Sequence, residues 1–131
     1  MVQSAAVAPK LRVLSGAKSR QSPIDMVHLA KQALGDPGLE LEVLRLFDTT
    51  LQVNFARLES STTVDEVLRH LHAIKGASAG VGANRVADLA ATAEAELREG
   101  RPVNPERIDD IEMAIAECRG FIAAVLEANG E

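Results

Sequence analysis

His72, Lys75 and Gly76 stand three and four residues apart, the spacing that puts side chains on one side of an α-helix. The segment around them, from His70 to Leu97, has the residue types for chemistry on a ring nitrogen. A phosphorylated imidazole gains about two negative charges, which an ammonium one turn away would offset. A glycine one turn away removes the side chain that would block an incoming molecule. That glycine costs about 1 kcal/mol against alanine inside a helix, so its presence there asks for a reason. A surface histidine with a lysine at i+3 also arises without any function, and Gly76 could merely allow two helices to pack closely. The weight lies in the conjunction: His72, Lys75 and Gly76, then Ala77, Ser78 and Ala79, then a turn containing Gly80 and Gly82.

The other two histidines compete poorly. His70 and His72 are two residues apart and point about 200° from each other on a helix, so they cannot share a metal ion. His70 faces away from Lys75 and Gly76, and His28 lies in a short segment where packing or surface exposure accounts for it. Neither His-x-x-x-His nor Glu-x-x-His occurs for a metal site in a helical core. Gly76, Gly80 and Gly82 are not followed by the Lys-Ser/Thr of a nucleotide-phosphate loop.

The elements that must position His72 are legible from periodicity. Trp and Tyr are absent, Phe occurs three times, and the chain has 131 residues, enough for one core. Ala, Leu and Val dominate, a mix that favours helix over sheet. Ser22-Pro23 reads as a helix start, with a short helix over about 24–34 closed by Gly35. Asp36-Pro37 starts a second helix reaching Glu59, with one stripe of Leu41, Leu44, Phe47, Leu51, Phe55 and Leu58. A second stripe of Leu39, Leu46 and Val53 lies nearly opposite, predicting cover on both sides, one side by the short first helix. Thr63 with Glu66 forms a capping box for a third helix carrying Val64, Val67, Leu71, Ile74 and Ser78 on one face, with Val67, Leu71, Ile74 and Ser78 setting its buried centre. His72 falls about 120° from that buried centre, on the exposed flank. A fourth helix over about 84–99 buries Val86, Leu89, Ala90, Ala93 and Leu97. A fifth, from Asn104-Pro105, repeats Ile108, Ile111, Ile115, Cys118, Ile122 and Val125 at steps of three and four. The expectation is all-α: an antiparallel four-helix bundle with an additional short N-terminal helix, over residues 22–131.

Charge and composition narrow the partners. The net charge is −5, and residues 1–22 hold Lys10, Arg12, Lys18 and Arg20 with no acid, which leaves −9 on the rest. An acidic body argues against nucleic acid. Residues 1–21 have neither helical nor strand period and read as a flexible basic tail. As an alternative, the tail could anchor to an acidic partner or membrane surface. No apolar run approaches the roughly 20 residues that span a bilayer, and no secretory leader is visible. A cytoplasmic location without membrane association is expected. Cys118 sits at a core position and reads as a buried structural thiol.

The stretch His72-Ala-Ile-Lys75-Gly76-Ala-Ser78-Ala-Gly80-Val-Gly82 resembles the signature of histidine-containing phosphotransfer (HPt) domains. The resemblance extends over about residues 24–128, including Asp36-Pro37 opening a long helix with Phe47. It implies a phosphorelay intermediate, with His72 as phosphoacceptor, Lys75 stabilising the phosphoryl group and Gly76 giving access. It also implies that Glu94, on the following helix, hydrogen-bonds the imidazole. Leu68, Arg69 and Ala79 are the expected docking residues. The implied partners are receiver domains of response regulators and a hybrid sensor histidine kinase. Mg²⁺ would be bound by the receiver; no cofactor belongs to this chain, which would bind no ATP and act as no kinase. A monomer is expected, since the active face must stay free. A non-catalytic helical adaptor is the alternative, and a metal-binding bundle enzyme is disfavoured by its missing ligands.

Overall fold

Short polar side chains at the helix starts set the architecture. In the computed structural model, which describes residues 22–130, five helices follow one another: α1 (Met26–Gln32), α2 (Pro37–Glu59), α3 (Val64–Val81), α4 (Asn84–Arg98) and α5 (Pro105–Ala128). Asp36 and Asn104 accept from backbone N–H groups at the starts of α2 and α5, each followed by proline at the first helical position. The Thr63 hydroxyl accepts from Glu66 N–H at 3.2 Å, and Glu66 reaches back to accept from the Thr62 N–H at 2.8 Å. This capping box therefore closes one residue earlier than its usual form. Gly82 ends α3 in the left-handed conformation, with φ 85°.

The start of α1 differs from the sequence expectation. Its cap is Asp25, whose carboxylate accepts from Val27 and His28 N–H, while the Ser22 hydroxyl instead donates to the Ile24 carbonyl. Ile24 is buried ahead of the helix rather than inside it. The far end also stops early, because Leu34 is already left-handed at φ 56° before Gly35. The 1–21 tail lies outside the described residues.

Helices α2 to α5 pack as a closed ring: α2 against α3, α3 against α4, α4 against α5, and α5 back against α2. The connections are short, so neighbouring helices run antiparallel in a four-helix bundle. Leu44, Leu51, Leu71, Ile74, Val86, Ala90, Ile111, Ile122 and Val125 meet at the centre. Small side chains on α4, among them Ala87, Ala90 and Ala93, are buried there and leave room for neighbouring helices. Helix α1 lies across α2 and α3. Its attachment to the end of α3 is polar: Asp25 N–H donates to Gly82 O at 2.9 Å, and His28 Nε2 donates to Gly80 O at 3.1 Å. The fully buried Cys118 thiol reaches the Pro23 carbonyl at 3.5 Å.

Three sequence assignments need correction. The second stripe on α2 is uncovered: Leu39 and Val53 are exposed, and Leu46 is 68% exposed. The short α1 meets α2 without covering that face. Val64 is exposed because it occupies the first turn of α3, beyond the reach of its neighbours. Leu41, Leu89 and Ile108 are half-buried at the rim of the core.

Candidate functional site

Helices α3 and α4 bring the candidate residues together on the outside of the bundle. Val67, Leu71, Ile74 and Ser78 anchor the inner face of α3. That orientation turns the His72 side chain outward, 66% exposed. Across the α3–α4 seam, Glu94 follows the buried Ala90 and Ala93 and is itself only 4% exposed. A carboxylate at that depth must be paired, and it is. His72 Nδ1 lies 3.2 Å from Glu94 Oε2, and Lys75 Nζ lies 2.8 Å from Oε1. Arg98, one turn further along α4, donates to Oε2 through Nε at 3.3 Å and Nη2 at 3.0 Å.

Electrostatics follow from this arrangement. Burial by itself pulls the Glu94 carboxyl pKa upward, but Lys75, Arg98 and His72 together outweigh it and hold the group down to about 2. Glu94 is therefore ionised and an acceptor only, so the His72–Glu94 contact puts the ring proton on Nδ1. In the neutral ring the other nitrogen, Nε2, then carries the lone pair. This is the tautomer a nucleophilic imidazole needs.

Gly76 is exposed, and a Cβ built on it would meet nothing within 4 Å. Close packing among the described residues is thus not its reason for being glycine. Leu68 is half-buried, and Arg69 and Ala79 are exposed, so the three expected docking residues remain accessible on α3. His70 is half-buried and has no part in the Glu94 cluster, and His28 is engaged with the Gly80 carbonyl. A groove of about 1120 Å³, lined by residues including Asp25, Arg85, Asp88, Glu117 and Phe121, excludes His72, Lys75 and Glu94. Among the described residues no group of three or more His, Cys, Asp and Glu side chains is gathered as a metal site. Among them, too, no helix is long and apolar enough to cross a membrane.

The sequence reading missed Arg98. Its only signal is the i+4 spacing from Glu94, which any exposed arginine on a helix can have.

The Hpt domain family model matches residues 42–126, just under two thirds of the chain. The chain belongs to the Hpt domain family. No curated protein and no solved structure matches it. The matched span holds all four members of the cluster, His72, Lys75, Glu94 and Arg98, and most of the bundle that supports them. A phosphotransfer-type role in two-component signalling goes with an Hpt domain. Receiver domains and histidine kinases are what such domains interact with.

Proposed function

We propose that this Hpt domain is a relay intermediate that carries a phosphoryl group on His72 between aspartates of receiver domains. One observation supports this above the rest: the exposed His72 ring directs Nδ1 to an ionised, buried Glu94, leaving Nε2 as the attacking atom. In the forward step the Nε2 lone pair attacks the phosphorus of an aspartyl phosphate. The N–P bond forms, the P–O bond to the aspartate breaks, and the carboxylate leaves with its electron pair. The ring keeps its Nδ1 proton and becomes cationic, a charge that Glu94 stabilises. The return step to another aspartate reverses these changes.

The phosphoryl oxygens bring negative charge beside Lys75, the ammonium on the same helix. Mg²⁺ held by the receiver would neutralise the rest. The reading includes no ATP site, no cofactor of this chain's own and no kinase activity, and it takes the protein as a cytoplasmic monomer. Its partners are response-regulator receivers and a hybrid sensor histidine kinase, docking around Leu68, Arg69, Gly76 and Ala79. Such a transient encounter suits a contact near or below the roughly 1,600 Å² of a standard interface.

Incubation with a phosphorylated receiver tests the proposal. Wild-type protein should take up an acid-labile, base-stable label, and His72→Gln should take up none. Label on His72→Gln would overturn the site assignment. Absence of label on wild type with every receiver of its host would favour the non-catalytic adaptor.

A further inference from the structure

Glu94 divides its two oxygens unequally. Oε2 accepts hydrogen bonds from His72 Nδ1 and from two nitrogens of Arg98. Oε1 is fully buried and faces Lys75 Nζ alone, at 2.8 Å. The lysine makes a single close contact as an ion pair, and the arginine makes a two-pronged hydrogen bond. The two cations also come from different helices. Lys75 shares α3 with His72, whereas Arg98 shares α4 with Glu94, one turn away.

One buried carboxylate faces two permanent cations, and this surplus has a use. Phosphorylation of His72 would add about two negative charges beside Lys75. Lys75 can serve that charge only by leaving Glu94. A buried carboxylate stripped of its only cation is strongly disfavoured, so a lone Lys75 would be held back by Glu94. We infer that Arg98 is a positioning residue for phosphotransfer: it remains on Glu94 as the standing counter-ion and frees Lys75 for the phosphoryl group. It also fixes Oε2 toward His72 Nδ1, which makes Nε2 the lone-pair nitrogen of the neutral ring. Arg98 need not touch the phosphoryl group. Its side chain is 61% exposed, yet its two hydrogen bonds among the described residues are both to Glu94.

This inference rests on His72 as phosphoacceptor, so its test separates the two. Initial rates of label uptake from a phosphorylated receiver are compared for wild type, Arg98→Gln, Arg98→Lys, Glu94→Gln and Arg98→Gln with Glu94→Gln. Thermal melts establish that each variant is folded. Arg98→Gln should slow uptake about tenfold, a typical coupling for residues in one ion-pair network. Arg98→Lys, which keeps the charge and loses the fork, should recover most of that rate. In the Glu94→Gln background the arginine substitution should add nothing, because no carboxylate is left to hold Lys75.

A second measurement needs no phosphate. Hydrogen exchange at the Lys75 ammonium, followed by ¹⁵N NMR, should slow several-fold in Arg98→Gln as Glu94 tightens on its remaining cation. Uptake by Arg98→Gln at the wild-type rate overturns the inference. So does an equal loss in the Glu94→Gln background, which would mean that Arg98 acts on the receiver itself. If wild type takes no label, the reading of His72 fails, and unchanged Lys75 exchange then overturns the role of Arg98 as well.

Discussion

Gly76 and Glu94 carry opposite kinds of cost at the residue scale. Gly76 sits in the middle of α3 with open space where a Cβ would go. Gly76→Ala should therefore raise stability by about 0.5–1 kcal/mol in denaturant melts, the helix-propensity difference. The same substitution should slow transfer from a receiver, because the added methyl enters the docking face. Gains in stability paired with loss in rate would mark the glycine as functional. For Glu94 the folded pKa of about 2 lies below the ordinary 4.5. Its stabilisation is complete above pH 4.5 and is lost as pH falls from there toward 2, about 3 kcal/mol in all. Glu94→Gln should be less stable at neutral pH and should lose less stability over that acid interval in urea melts. The His72, Lys75 and Gly76 face was legible from spacing alone. Glu94 was not, since periodicity places a side chain on a face but says nothing of the partners that make a buried charge tolerable. The family resemblance, not spacing, pointed to Glu94; Arg98 had no such pointer and was missed.

At the element scale, the join between α1 and α3 turns on Gly82. A Cβ there would stand 3.1 Å from the Asp25 carbonyl oxygen and 3.3 Å from His28 Cβ, at a backbone φ of 85°. Gly82→Ala should cost about 2 kcal/mol, from left-handed strain together with crowding against backbone. Amide exchange in α1 should rise more than in α4 or α5, because the altered join belongs to α1. Helix number and order followed from the sequence, since Asp36-Pro37, Thr63, Gly82 and Asn104-Pro105 act through their own local backbone. The uncovered stripe of Leu39, Leu46 and Val53 was misread for a different reason. A helix period reports which residues share a face, and only tertiary structure decides whether anything lies upon it. The Ser22-Pro23 signal failed because Asp25 offered a stronger cap three residues later.

For the whole molecule, Cys118 reports on the integrity of the ring. Burial, with a smaller contribution from Glu117, pushes its thiol up to about 12. Thiol reagents should leave it unmodified near neutral pH until the bundle opens, so labelling against denaturant should follow global unfolding. Fast labelling without denaturant would mean that α5 detaches locally. The ends of the ring are joined by Arg119 on α5, which donates through Nε to Asp48 on α2 at 2.8 Å. Both side chains are partly exposed, so this pair adds little to stability. The packing order has a kinetic consequence. Three of the four ring seams join helices consecutive in the chain, so most native contacts close short loops. Of the four ring seams, the one between α2 and α5 alone must bring distant segments together. Topologies of this kind fold in microseconds to milliseconds. A chain emerging from synthesis could thus assemble helix by helix, with the His72–Glu94 seam in place before α5 closes the ring.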